Sequence, residues 1–219
     1  MSFWQAALSA TVFLAEQFPA MTVPEIAFLG RSNVGKSTLL NALMGRRLAH
    51  VSGTPGKTRS INFFEIKADN PFRLVDLPGF GFAARGKQER DRWRKLIEAY
   101  ILRRETLLFS IHLVDFRHGL LENDLQLQDW MGELGLPLLV VFTKVDKVAR
   151  GKRKTLLTGY RQRGFVSFAN PLLLSGTDGT GVEELRAFIE GAVAEASRAE
   201  GFVDQPNDLT QGGPTCEQK

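Results

Sequence analysis

The sequence predicts an α/β protein, a mainly parallel six-stranded sheet with helices on both faces. Between residues 25 and 185 short apolar runs alternate with longer amphipathic ones. Most of the short runs are largely continuous apolar stretches, as expected of strands covered on both faces, and the intervening segments carry helical patterns long enough for crossovers.

Taken in order, the first 22 residues read as an N-terminal extension, a short helix or a strap along the sheet edge, with no periodicity to decide between them. Strands are predicted at 26–29, 61–67, 72–77, 107–115, 138–143 and 172–174, and helices at 36–44, 88–104, 122–134, 152–163 and 182–197. The main domain is therefore expected over 23–199. Residues 200–219 hold only Phe202, Val203, Leu209 and Cys216 as apolar side chains among Gly, Pro and polar residues, the composition of a disordered tail.

Composition limits the function classes. The chain has 219 residues, enough for one domain with a core and some tail; 43% hydrophobic and 24% charged residues exclude a collagenous or wholly disordered chain. A single cysteine excludes an intramolecular disulfide or a cysteine-based metal site. No Lys or Arg precedes Arg31, so the basic start of a secretory signal is missing, and no run approaches a membrane span. A cytoplasmic protein with no membrane partner is expected, and a monomer. His50, His112 and His118 share no metal-ligand spacing.

In open α/β sheets, ligands bind beyond the carboxyl ends of the strands. Four segments stand there. Gly30-Arg31-Ser32-Asn33-Val34-Gly35-Lys36-Ser37, followed by Thr38, fits GxxxxGK[ST] between a strand and a helix. Its glycines let successive N–H groups and the helix N-terminus face phosphate oxygens; Lys36 adds charge at the β and γ phosphates, and the Ser37 hydroxyl can ligate Mg²⁺. Asp76-Leu77-Pro78-Gly79 completes a DxxG pattern in which the carboxylate can hold Mg²⁺ through water and the Gly79 N–H can sense the γ phosphate. Thr143-Lys144-Val145-Asp146 follows the strand at 138–143, and an aspartate there can accept both N1–H and N2–H₂ of guanine. Adenine would leave that carboxylate unpaired, so guanine is the expected base. Ser175-Gly176-Thr177 can support the base through backbone N–H groups.

With these segments in order, together with Thr54-Pro55-Gly56-Lys57-Thr58-Arg59 and Val114-Asp115-Phe116-Arg117-His118, the chain resembles the Era-like GTPases, and within them the EngB/YsxC/YihA family of bacterial ribosome-assembly GTPases. The resemblance covers about 22–199. It implies a Ras-like P-loop GTPase fold, hydrolysis of GTP to GDP and phosphate, Mg²⁺ as cofactor, and work in assembly of the large ribosomal subunit, with a part in cell division and septation. On the family pattern Gly56, Lys57 and Thr58 belong to switch I, and the Thr58 hydroxyl joins Ser37 and Asp76 around Mg²⁺; Thr54 is the competing threonine. Lys36, Thr58 and Gly79 then carry catalysis.

Two departures matter. Thr143 stands where GTPases generally carry Asn, which predicts a weaker tie between base loop and phosphate loop. Phe80 stands where Ras-type enzymes hold the glutamine that orients water, which predicts slow intrinsic hydrolysis. Asn33 occupies the position at which several related GTPases hold K⁺, making K⁺ stimulation an expectation.

Charge is concentrated in two blocks. Arg85, Lys87, Arg90, Arg92, Arg94, Lys95, Arg103 and Arg104 form the first; Lys144, Lys147, Arg150, Lys152, Arg153, Lys154, Arg161 and Arg163 form the second. Such blocks suit phosphate backbones. The expected partner is the large ribosomal subunit, both rRNA and proteins, through switch II and the basic helices. A guanine-nucleotide sensor with little turnover is the alternative reading. A small-molecule kinase would share the phosphate loop but not the base-reading segment.

Overall fold

Successive side chains of the buried strands go to opposite faces of one sheet, and each face acquires its own core. In the computed structural model the residues described are 4–50, 60–79 and 87–199, the side chains of 87–90 and 93 excepted. The strands are β1 (Gln5–Val12), β2 (Glu25–Gly30), β3 (Ile61–Lys67), β4 (Phe72–Asp76), β5 (Leu107–Asp115), β6 (Leu138–Thr143) and β7 (Leu172–Leu173). The helices are α1 (Lys36–Met44), α2 (Lys87–Arg103), α3 (Glu122–Glu133), α4 (Arg150–Arg163) and α5 (Val182–Ala199).

The sheet order is β1-β3-β4-β2-β5-β6-β7. The four pairings from β4 to β7 are parallel, while β3 runs antiparallel to both β4 and β1. The sheet thus has seven strands rather than six, because the N-terminal segment adds β1 to its edge. Of the two alternatives, a short helix or a strap along the sheet edge, the second describes it, and the strap is a paired strand. The register of β1 slips between Leu8 and Ala10. The intervening Ser9 hydroxyl donates to the Phe63 carbonyl at 3.1 Å.

Ile26 and Phe28 point to the face covered by α1 and α5, where Leu39, Leu40, Leu43, Leu185, Ile189 and Val193 meet Ile111 and Leu113. Ala27 and Leu29 point the other way, toward Ile97, Tyr100, Leu127 and Met131 of α2 and α3. On that second face Val114, Phe116, Val140 and Phe142 receive Tyr160 of α4. The two-faced helix cover is as the sequence predicts.

At the end of the sheet opposite the strand carboxyl ends, the fully buried Glu25 accepts from Arg104 Nε at 3.1 Å and from the Tyr100 hydroxyl at 3.0 Å, with Arg73 Nη1 at 3.5 Å. Burial, then the Glu25 carboxylate, push the Tyr100 pKa well above its usual value, so the hydroxyl remains a donor. The two arginines also donate to the carbonyls of Pro19 and Ala20, each at 2.6 Å. Residues 19–25 are thereby fixed across the sheet. Arg104 therefore leaves the predicted basic surface: it compensates a buried carboxylate.

Candidate functional site

Five strand ends converge at one edge of the sheet. Gly30 ends β2, Asp76 ends β4, Asp115 ends β5 and Thr143 ends β6, and Ser175 follows β7 by two residues. Parallel strands place all five carboxyl ends on the same side.

The phosphate loop turns sharply into α1. Asn33 and Gly35 have φ of 62° and 104°, and Leu39 N–H donates to the Gly35 carbonyl at 2.9 Å as α1 begins. The left-handed Gly35 is where a side chain would be strained. Successive peptide groups turned this way, followed by a helix N-terminus, form the concavity that anions occupy. Lys36 and Asp76 are both buried and form an ion pair with each other. Gly79 packs on the loop so closely that a Cβ would lie 2.9 Å from Ser32 Oγ. The DxxG segment and the phosphate loop are therefore in contact.

The base loop is tied to the phosphate loop twice. Thr143 is buried, and its hydroxyl donates to the Val34 carbonyl at 2.6 Å across 109 residues of sequence. The expected weak tie is thus corrected: the shorter side chain reaches because β6 brings it directly under the loop. Lys144, itself left-handed with φ 58°, donates from Nζ to the Asn33 carbonyl at 2.5 Å. Asp146 lies in the short turn Val145–Lys147. Burial pushes its pKa up, but the Ser175 hydroxyl and the Lys147 ammonium outweigh that and hold the carboxyl below the ordinary aspartate range. Ser175 Oγ also accepts from the N–H groups of Thr177 and Asp178 at 3.2 and 3.3 Å. A Cβ on Gly176 would come within 3.1 Å of the α1 backbone at Leu39. This arrangement brings backbone N–H groups, a cation and an ionised carboxylate together at one edge of the sheet.

The model of the family described as 50S ribosome-binding GTPase matches residues 25–144. A probable GTP-binding protein EngB from Syntrophomonas wolfei is 46% identical over 172 residues, 78% of this chain and 88% of that protein. Its counterpart from Solibacter usitatus is 47% identical over 171 residues, 78% of this chain and 86% of the relative. The chain belongs to the EngB family of P-loop GTPases. It is accordingly a GTP-binding protein. Among solved structures, a probable GTP-binding protein engB superposes with a TM-score of 0.59 at 26% identity, covering 78% of this chain and 99% of the other. Era in complex with MgGDPNP and a segment of 16S ribosomal RNA superposes with 0.66 at 21% identity, covering 90% and 60%, and shares the fold.

Within this EngB site the structure brings together Gly30 to Thr38, Asp76 to Gly79, Thr143 to Asp146 and Ser175 to Thr177. Gly56, Lys57, Thr58 and the competing Thr54 lie outside the described residues, as does Phe80. The donor set fits a hard divalent cation: Ser37 supplies a hydroxyl and Asp76 a carboxylate, both oxygen. Among the described residues no group of three or more His, Cys, Asp or Glu could hold a metal ion.

Asp115 and Arg117, part of the segment at 114–118 that carries the resemblance, have no site role in the sequence reading. Asp115 accepts from Arg117 Nε at 2.9 Å and Nη2 at 2.7 Å, and from Lys144 Nζ at 3.0 Å. Its signal was an aspartate closing an apolar strand, just as Asp76 does.

Among the described residues no helix is long and apolar enough to cross a membrane. The second block keeps Lys147, Arg150, Lys152, Lys154, Arg161 and Arg163 exposed; on α2, Arg92, Arg94, Lys95 and Arg103 are exposed. Between them lies α3: Arg94 stands 4.9 Å over the Trp130 ring, and Gln128 Nε2 donates to the carbonyl of Val166, just beyond α4, at 3.2 Å. It carries exposed Glu122, Asp129 and Glu133 and no Lys or Arg. An acidic strip separates the two basic surfaces.

Proposed function

We propose that this protein is a GTP-gated factor in assembly of the large ribosomal subunit that hydrolyses GTP slowly, and that normal cell division depends on it. The observation that carries the guanine-specific part is the coupling of Asp146 to Ser175 on a base loop bonded to the phosphate loop through Thr143 and Lys144. An ionised Asp146 accepts N1–H and N2–H₂ of guanine, Lys144 lies along the base, and Ser175 to Thr177 close the opposite side.

The phosphates lie against the N–H groups from Arg31 to Thr38, with Lys36 at the β and γ positions. Ser37, Asp76 and Thr58 would hold Mg²⁺, which would neutralise charge on those phosphates. Gly79 reports the γ phosphate to the segment leading into α2. Phe80 offers no hydrogen bond to water, which is why intrinsic turnover is slow and why the nucleotide-sensing alternative stands beside this one. A K⁺ ion near Asn33 would supply the missing positive charge.

The partner reading rests on the two basic helices, on the family description as ribosome-binding, and on the RNA-bound Era of the same fold. The protein acts in the cytoplasm as a monomer. Binding to purified large subunits, compared with GDP, GTP and a non-hydrolysable analogue at several salt concentrations, tests it. Tighter, salt-sensitive binding in the triphosphate state is expected. Absence of binding in every state would overturn the ribosomal reading.

A further inference from the structure

Asp115 lies between the two nucleotide-facing loops and belongs to neither. Its side chain is 12% exposed, and both oxygens are engaged. Arg117 clasps it three ways, with the backbone N–H at 3.1 Å and Nε at 2.9 Å on Oδ1, and Nη2 at 2.7 Å on Oδ2. Lys144 Nζ takes Oδ2 at 3.0 Å while donating to the Asn33 carbonyl at 2.5 Å. The ammonium is therefore held between an acceptor at the end of β5 and one in the phosphate loop.

We propose that Asp115 is the positioning residue for Lys144: it holds the ammonium on the Asn33 carbonyl, so that the lysine stem already crosses the phosphate loop when a guanine nucleotide arrives. Arg117 holds Asp115 in turn. The inference rests on the placement of the base beside Lys144 and Asp146 given above.

Three physical points carry it. A lysine stem is long and flexible, and a side chain ordered before binding removes that cost from the binding step. The stem is placed over the loop, since a Cβ on Gly35 would meet Lys144 Cε at 3.8 Å. Charge alone makes the opposite forecast: a carboxylate in this tier repels an anionic nucleotide, so its removal should tighten binding. The positioning role makes the other forecast: the lost orientation of Lys144 outweighs the repulsion that removing Asp115 relieves. The pairing with Arg117 and Lys144 also keeps Asp115 ionised, its pKa lowered from the usual aspartate value against the upward push of burial.

The test is a double-mutant cycle on the full chain, reading the GDP dissociation constant by calorimetry together with the thermal midpoint. The proteins are wild type, Asp115→Ala, Lys144→Met and the double variant, with Asp115→Asn as the conservative replacement. Asp115→Ala should weaken GDP about fivefold to tenfold, the loss of part of one charge-assisted hydrogen bond. In the Lys144→Met background the same change should alter affinity less than about twofold, because the residue it acts through is gone. Asp115→Asn, which retains an acceptor for Lys144, should recover part of the loss, and it replaces the alanine variant if that one does not fold. Equal losses in both backgrounds, or tighter binding by Asp115→Ala, would overturn the proposal. Lys144→Met with wild-type affinity would instead overturn the placement of the base beside Lys144, and the positioning role with it.

Discussion

Lys144 Nζ donates to the carbonyl of Asn33 at 2.5 Å, and these are the two non-glycine residues with left-handed backbone among the described residues, at φ 58° and 62°. Such conformations cost about 1–3 kcal/mol each and persist where surrounding contacts over-determine them. Here the contacts are mutual. The strained residue of the base loop anchors the strained residue of the phosphate loop, and Thr143 next to it bonds to Val34 next to Asn33. Two successive residues on one loop thus grip two on the other, a linkage that would couple affinity for phosphate to affinity for base.

That coupling predicts the effect of Thr143→Val, which keeps shape and removes the hydroxyl. The Val34 carbonyl loses a buried donor, at about 1–3 kcal/mol. GDP affinity should fall about tenfold, and free phosphate or pyrophosphate competition should weaken with it, although neither ligand touches Thr143. Calorimetric titration of both ligands checks this. An unchanged pyrophosphate affinity would mean that the loops act separately.

Lys36→Ala should be doubly damaging. Its ammonium compensates the buried Asp76, and leaving such a carboxylate alone costs about 3–5 kcal/mol. The thermal midpoint of the nucleotide-free protein should therefore drop before nucleotide is considered, and GDP binding should fall by at least about a hundredfold. Lys36→Ala/Asp76→Asn should regain much of the midpoint and none of the affinity. Denaturation curves with and without GDP separate the two effects.

Much of this was legible in the sequence, and the exceptions share a physical cause. Strands 107–115 and 138–143 are apolar at most positions because both faces are covered, and that signal is local. The strand β1 escaped because its bulge at Ser9 breaks the period of two on which strand recognition depends. Arg104 read as part of a charged surface because its partner Glu25 lies 79 residues earlier. Likewise, Thr143 predicts a weaker tie between the loops because nothing local to it reveals how closely β6 passes beneath Val34. Motif spacing reports what one segment offers a ligand; it is silent on what strand ends offer each other.

The Glu25 cluster makes a stability forecast independent of nucleotide. Arg104→Ala leaves a fully buried carboxylate with only Tyr100 and Arg73, and should cost about 3–5 kcal/mol. Because the cluster sits at the far end of the sheet, GDP affinity measured well below the new midpoint should stay within about twofold of wild type. Urea denaturation and calorimetry together decide it; a large loss of affinity would show that the far end of the sheet controls the site.

Asp146→Asn should exchange a guanine acceptor for a group with a donor, disfavouring GDP by a few kcal/mol and favouring xanthosine diphosphate. The pH dependence has a definite sign. The Asp146 pKa is lowered from 3.8, so the carboxylate is ionised throughout the neutral range and Asp146 itself adds no pH dependence to GDP affinity from about pH 5 to 8. A group with a depressed folded pKa contributes stability that is complete above its unfolded pKa and is lost as pH falls through the folded one. The wild-type advantage in denaturation midpoint over Asp146→Asn should therefore be constant above about pH 5 and shrink in acid. Growth of that advantage on acidification would contradict the assignment.

The last forecast concerns the two basic surfaces. Arg92, Arg94 and Lys95 on α2 are exposed, as are Lys152, Lys154 and Arg161 on α4, while α3 between them is acidic. If each surface meets phosphate backbone, reversing three charges on either helix should weaken large-subunit binding and reduce the slope of log affinity against log salt by about one per lost phosphate contact. The helices should differ in one respect. The segment from Asp76 to Gly79 leads toward α2, whereas α4 follows the base loop, so the α2 variant should narrow the difference between GTP and GDP states and the α4 variant should lower both alike. Reversing Arg94 also removes its contact with the Trp130 ring, worth about 0.5–1 kcal/mol at an exposed site, so the α2 variant needs its thermal midpoint measured alongside. Sedimentation with large subunits at three salt concentrations, in both nucleotide states, reads all of this at once. Equal behaviour of the two variants would mean that the nucleotide does not select between the surfaces.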